Sequence, residues 1–535
     1  MPFIAANRET GLRVTLAAML VFGAAVLFTA ALVPRPRLHA LLAARAPDGQ
    51  VSAEYVDAFR SRSLACAIGL GAVAMLAMVR PGGGQTILPL RTDTIVCPPP
   101  VVPLIIVTLI GAAARALLLT RPLHYDEAFT LTEYVSRSPL FFLTRYTHPN
   151  NHVLHTLLAW LTTRAGDALW LARLPAFLAG VAIVPATYLI AAREDHRAGW
   201  IAAGLSAGAT PLVEYAAQAR GYTIVVLCVV LLYALRPRPL AGGLLIAAGA
   251  WTIPVMAYAA AAYLAWRFLD DRGNAVRTGI VAAAATFVLY VPIVVVSGVD
   301  SIFANGNVLP VPYAVLFSEL PRSLAVMWRE WNLSFTWLGG IALALAALSQ
   351  RRFALPLLVA VGVIGAMLLL TRRVPFPRVW IFLLPLFLVA AAHGLARVMS
   401  VRVAGWVAVA VAAVTAANAV RLTGRDSFFE DRAFAHVRAI AAFVAPAEDA
   451  LLVVGPLDAP LAYELRSARV PASRVIIHRF DSDPHATRAA VAATPRLRAI
   501  VSDAPEGQRQ WQALALPHAR ALRRFDGVTV YEVRP

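Results

Sequence analysis

The chain has 535 residues, of which 59% are hydrophobic and only 15% charged, and its mean hydropathy is +0.67. Soluble domains are about half apolar and about a quarter charged, so a water-soluble globular protein is excluded and a polytopic membrane protein is implied. The formal net charge of +18 comes from arginine without any lysine; the arginines sit mainly at the ends of apolar runs, which points to membrane lipids rather than nucleic acid as the partner.

The apolar runs are uniform rather than alternating, which selects helices over barrel strands. In chain order, thirteen spans are expected at about 13–33, 64–80, 100–120, 171–192, 198–213, 222–236, 240–253, 254–268, 278–297, 334–349, 354–371, 380–397 and 403–420. Arg13 is followed by apolar residues up to Val33, a run longer than a signal-peptide core, so this segment reads as a first span. Val153–Arg164 is apolar, but twelve helical residues rise only about 18 Å, and it reads as a juxtamembrane or re-entrant helix. Leu240–Phe268 carries arginines at both ends and therefore reads as a tight pair turning near Trp251–Pro254.

Arginine placement puts 193–197, 236–238, 267–277 and 350–352 in the cytoplasm. Loops 121–170, 214–221, 298–333 and 372–379 then fall outside, together with the tail; loop 34–63, with five arginines, leaves the first two spans open to either orientation. The tail changes character after Arg421. Short apolar strands at Leu451–Val454, Val475–Ile477, Ala499–Val501 and Val528–Val533 alternate with amphipathic stretches, which specifies a small α/β domain. The expected fold class is an all-α polytopic membrane protein with a small C-terminal α/β extracytoplasmic domain. Its expected divisions are a two-span extension (1–99), a transmembrane core (100–420) and the tail domain (421–535). Cys66, Cys97 and Cys228 are scattered and form neither a disulfide framework nor a metal motif.

Four polar stretches interrupt the apolar sequence. The loop Arg121–Thr130 carries adjacent carboxylates, Asp126 and Glu127, preceded by Tyr125. They are either ordinary interface charges or a general base that takes the proton of an attacking hydroxyl. Thr147–His155 follows, with His148, Asn150, Asn151 and His152 at the mouth of the short helix. The asparagines can cap that helix or line a polar pocket, and His152 with His155 at i, i+3 leaves a divalent metal conceivable, although no zinc motif is present. The third stretch, Glu214–Tyr222, holds Gln218, Arg220 and Tyr222 around Gly221, and suits either close approach to a phosphate or a snorkelling arginine. The fourth contains Arg372, Arg373 and Arg378, which this topology puts outside against the positive-inside tendency; either the topology differs there or they are kept for an anionic ligand such as a lipid phosphate. Asp481-Ser482-Asp483 looks like a metal-binding Asp-x-Asp but is an ordinary turn sequence.

The His124-x-Asp-Glu-Ala128 loop, the His/Pro/Asn-rich helix start, Ala172–Ala176, Ala219–Tyr222 and the Arg378-x-Trp…Leu-Pro385 element occur in this order. Together, over about residues 100–400, they resemble the GT-C glycosyltransferases related to protein O-mannosyltransferases and the lipid A aminoarabinose transferase. The resemblance implies a bacterial inner-membrane transferase that moves a sugar from a polyprenyl-phosphate donor to an envelope acceptor. It implies Asp126 as catalytic base or acceptor-positioning group with Glu127 assisting or positioning it, Arg220 and Arg378 at the carrier phosphate, and Tyr222 with His148–His152 lining the sugar or acceptor pocket. This chain reads Pro149-Asn-Asn-His-Val-Leu154 where the family has His-Pro-Pro-Leu, and two extra spans precede the core. A transporter or flippase for lipid-linked saccharides, or an assembly subunit, is the competing expectation; transporters place ionisable residues inside their spans, whereas Arg115 is the exception here.

Overall fold

The structure, a computed structural model, describes residues 17, 19–44, 51–78, 101–303, 309–422, 436–479, 482–516 and 518–534. Cys97 and Asp481 lie outside the described residues. Each expected span contains a helix, yet among the described residues six helices are long and apolar enough to cross a membrane. They number seven if Met19–Leu32 and Arg35–Ala43, bent by 108°, form one span. The expected thirteen crossings exceed that number because apolar helices such as Val101–Ala116 and Tyr222–Leu235 are short. At about 1.5 Å per residue they do not reach the about 30 Å of a hydrocarbon core. The chain breaks at 253–255, between helices Pro239–Thr252 and Met256–Asp270.

The centre of the bundle is built on small residues. Helices His196–Gly208 and Val401–Leu422 meet along Gly204-x-x-x-Gly208 on one side and Ala404, Ala408 and Ala412 on the other, all buried. A Cβ on Gly204 would lie 2.6 Å from the Ala408 carbonyl oxygen, so only glycine allows the two backbones to come this close. In lipid, where apolar residues gain little by leaving the solvent, such close backbone contact is what holds helices together.

Arg115 adds a polar staple at the same place. It is fully buried and donates from Nη1 to the carbonyls of Gly111 (2.8 Å) and Ala207 (2.9 Å), and from Nη2 to Ser206 (3.3 Å). The last carbonyls of a helix have no partner within it and carry partial negative charge, so the guanidinium ties one helix to the C-terminal end of the next. Arg115→Met is expected to lower stability by about 1–3 kcal/mol, read as a lower melting temperature in detergent.

Two elements differ from expectation. The stretch expected as an outside loop, 298–333, contains an amphipathic helix, Tyr313–Asn332, with Leu316, Trp331 and Asn332 buried. The tail forms a five-stranded sheet: β1 (Ala450–Val454), β2 (Val475–His478), β3 (Leu497–Ser502), β4 (Ala519–Phe525) and β5 (Val528–Val533). The order is β2-β1-β3-β5-β4, parallel through β2, β1 and β3 and antiparallel through β5 and β4. β4 was not expected from the sequence. Two apolar layers enclose the sheet, one holding Leu451, Val453 and Ile500, the other Leu452, Val454 and Val501.

Candidate active site

The site begins where the chain leaves the Val101–Ala116 helix. A six-residue helix, Tyr125–Thr130, starts after His124 and runs into a π-type turn over Leu131–Val135. Consecutive residues on a helix point about 100° apart, so Asp126 and Glu127 leave in different directions.

Glu127 points inward and is fully buried. Its Oε2 accepts the His124 backbone N–H (3.1 Å), which fixes the helix start. Arg173, also buried, meets it in a two-pronged pair, Nε to Oε1 at 2.9 Å and Nη2 to Oε2 at 2.8 Å, and the Ala219 N–H donates to Oε1. Arg173 further donates to the carbonyls of Leu119 and Arg121 (both 2.9 Å) and Pro122 (3.2 Å). Burial pushes the Glu127 carboxyl up, but Arg173 and the hydrogen bonds to it outweigh that and hold it below the usual value. Glu127 is thus the buried knot of three segments.

Asp126 points the other way, with 28% of its side chain exposed. Its Oδ2 lies 3.1 Å from Arg378 Nη2 and 3.5 Å from Arg220 Nη2, and its Oδ1 accepts from Asn150 Nδ2 at 3.1 Å. Arg220, almost wholly buried, also donates to Thr130 Oγ1 (3.3 Å) and Asn150 Oδ1 (3.5 Å). Arg378 Nε donates to the Tyr222 hydroxyl at 3.0 Å. Burial favours the neutral carboxyl, but Arg220, Arg378 and the Asn150 amide prevail and hold Asp126 below its ordinary value. Two guanidiniums against one carboxylate leave a surplus of positive charge beside a reachable oxygen.

The third and fourth polar stretches therefore meet at Asp126, together with Asn150 of the second. His152 stands behind them, buried. Its Nδ1 accepts the Gly221 N–H at 2.8 Å and its ring meets Tyr222 edge-on at 5.2 Å. Burial, with Arg220, His155 and Arg378 nearby, keeps His152 neutral. Gly221 is required here because a Cβ would run into Thr252 Cγ2 and lie 3.3 Å from His152 Cβ. The glycine beside Arg220 thus serves packing within the protein.

Other expected site residues lie elsewhere. Asn151 is buried and braces the loop, donating to the Phe142 (2.8 Å) and Arg145 (3.0 Å) carbonyls. His148 packs edge-on against Phe129 at 4.9 Å. Gln218 is buried, and its carbonyl accepts the Arg220 N–H at 2.7 Å. Tyr125 turns from the arginines and donates to Asp458 Oδ2 in the tail domain at 3.2 Å. Arg372 ends its helix in a left-handed conformation (φ 53°) with its guanidinium 5.7 Å from the Tyr313 ring, and Arg373 donates to the Phe303 carbonyl at 2.9 Å. Arg372 thus sits with the amphipathic helix and Arg373 with the short helix Asp300–Phe303. The sequence reading did not assign roles to Arg173, Glu133, Asp458 or Arg479; of these, Arg173 alone lay within a quoted motif.

A metal held by His152, His155 and a carboxylate does not fit these contacts. The Gly221 N–H takes His152 Nδ1, Glu127 is saturated, and among the described residues no group of three His, Cys, Asp or Glu could hold an ion.

No protein-family model matches the chain, and no curated protein does. Solved structures share its fold. ArnT from Cupriavidus metallidurans in the apo state aligns with a TM-score of 0.54 at 17% identity, covering 81% of this chain and 97% of that one. ArnT from the same organism bound to undecaprenyl phosphate aligns with a TM-score of 0.54 at 15% identity and the same coverage. The chain is a multi-pass membrane protein with an ArnT-like fold.

Proposed function

We propose that the protein is a glycosyltransferase of the bacterial inner membrane. It moves a sugar from a polyprenyl-phosphate carrier to a lipid, glycan or protein acceptor on the extracytoplasmic face. The observation that carries this reading is Asp126 seated between Arg220 and Arg378, inside a fold shared with a protein that has been crystallised with undecaprenyl phosphate. The carrier phosphate is already a leaving group, so no nucleotide is needed. An acceptor hydroxyl attacks the anomeric carbon, its proton passes to an Asp126 oxygen, and the carbon–oxygen bond to the carrier breaks. The departing phosphate is held by Arg220 and Arg378, and direct attack inverts the anomeric centre.

A carboxylate held low by two arginines is a weak base, and donor binding corrects this. The phosphate takes a share of both guanidiniums, Asp126 loses part of its stabilisation, and its affinity for a proton rises where the hydroxyl arrives. Arg115, in the apolar Val101–Ala116 helix, is bound to backbone carbonyls, and Arg173, in the Leu169–Ala192 span, to Glu127 and backbone carbonyls; both are structural parts, which does not favour a transporter.

The test is a transfer assay with purified protein and a panel of radiolabelled polyprenyl-phosphate sugars, with and without chelator. Turnover with one carrier names the donor, and the chelator arm settles metal dependence. No transfer together with no carrier binding would overturn the transferase reading.

The acid limb of the rate profile reports Asp126. The two arginines depress the carboxyl, so it stays ionised down to below about 3.8, its ordinary value, and the limb is expected there. Arg378→Met removes one cation and is expected to move the limb of kcat/KM upward. A limb that stays put in that variant would assign the titration to another group.

A further inference from the structure

Tyr125, Phe129 and Glu133 are spaced i, i+4, i+8 along the segment that carries Asp126, and all three are held by the tail domain. The Tyr125 hydroxyl donates to Asp458 Oδ2 at 3.2 Å. Arg479, directly after β2, donates from Nε to the same oxygen at 3.0 Å and from Nη2 to Glu133 Oε1 at 3.1 Å. Its guanidinium lies 5.4 Å from the centre of the Phe129 ring. Asp458 itself is buried, at the first turn of the helix that follows β1. Ala459 joins Ala128, Phe129 and Leu123 in one apolar cluster, against which Tyr125 and Tyr463 pack.

These tail residues follow the carboxyl ends of β1 and β2, the edge where open α/β sheets place their functional groups. Here that edge faces the membrane domain. Asp126 leaves another side of the same short helix, about 100° from Tyr125, towards Arg220 and Arg378. A six-residue helix is too short to hold its own geometry in water, so its position depends on what grips it.

We propose that the C-terminal domain is part of the catalytic apparatus: Arg479, through Asp458, Tyr125 and Glu133, positions the helix from which Asp126 works. Arg479 is a positioning residue, 27% exposed, whose bonds go to Asp458 and Glu133 and not to Asp126. The proposal rests on the transferase reading for its kinetic consequence, but the latch itself has a readout that does not need transfer.

The experiment compares full-length wild-type protein with Arg479→Met, Arg479→Lys and Tyr125→Phe, and with Arg438→Ala as control. Arg438, 59% exposed, pairs with Glu464 near the far end of the Asp458–Ser467 helix. Arg479→Met is expected to lower kcat about 10- to 100-fold while donor KM stays within about twofold, since a displacement of about 1 Å at a reacting group costs that much. Hydrogen exchange of the peptide spanning 121–135 is expected to quicken. Arg479→Lys should recover part of both effects, and Arg438→Ala should match wild type. Combining Arg479→Met with Tyr125→Phe should cost little beyond the larger single effect, because both open one latch. Unchanged kcat and unchanged exchange in Arg479→Met would overturn the proposal. If that variant does not fold, Tyr125→Phe, which removes one hydroxyl, decides by the same two readouts. Faster exchange in a protein that never transfers sugar would keep the latch and discard the transferase reading.

Discussion

Asp126→Asn is expected to reduce sugar transfer by about 10²- to 10⁴-fold, the range a positioned general base supplies, while expression and membrane insertion stay as in wild type. The substitution keeps size and shape, and it leaves Arg220 and Arg378 in place. It removes the negative charge that both guanidiniums face at 3.5 and 3.1 Å. Carrier phosphate then no longer competes with a resident carboxylate, so donor affinity should hold or tighten as kcat collapses. That combination separates a lost base from a damaged pocket, in which both would fall. Single-turnover transfer with equilibrium binding of the polyprenyl-phosphate donor gives the two numbers. A rate within about threefold of wild type would remove Asp126 from the chemistry.

The membrane character and the loop around Asp126 were legible because each rests on composition or local pattern. Long apolar runs give helices, and charges stranded between them stand out. The different fates of Asp126 and Glu127 were not legible. Adjacent residues on a helix face different ways, and a single sequence does not say which of the two meets the core; the buried partner, Arg173, lies 46 positions away. Arg173 did leave a trace, as the arginine of Ala172–Ala176 near the start of a span, but the trace carried no partner. The latch from Arg479 to Glu133 spans 346 positions and has no local sign at all.

Elsewhere the misses follow from what burial hides or shows. Strand β4 is exposed along most of its length and holds three arginines, so it lacks the apolar run that marked β1, β3 and β5. Its signal was the Asp526-Gly527 pair before β5, a hairpin turn. The Tyr313–Asn332 helix contains Pro321 and several charges, so it lacks the long apolar run from which the spans were read. Its exposed Tyr313, Val315, Phe317 and Leu324 put apolar surface beside Arg372, while Arg373 bonds the Phe303 carbonyl; both arginines were expected at an anion. Spacing placed those two outside the membrane but could not aim them.

Glu127 tests the distinction between a residue that reacts and one that holds. Both members of its pair are sealed, at 0% exposure for Glu127 and 1% for Arg173. Breaking a buried pair leaves one charge without compensation, and Glu127→Gln or Arg173→Met is each expected to cost about 3–5 kcal/mol of stability. Arg173 also binds the Leu119, Arg121 and Pro122 carbonyls, so its loss should loosen the entry to the Asp126 helix as well. The double variant Glu127→Leu with Arg173→Met should cost less than the two singles added, because no buried charge is left alone. The sign with pH follows from the depressed carboxyl. The pair contributes fully above about 4.5, the ordinary value, and its contribution is lost as pH falls through the lower native one. Thermal melting in detergent across that range, alongside transfer rates per folded molecule, reads both roles. A Glu127→Gln protein that melts with wild type yet transfers nothing would make Glu127 part of the chemistry. One that melts early and, when folded, still transfers would leave the chemistry to Asp126 alone.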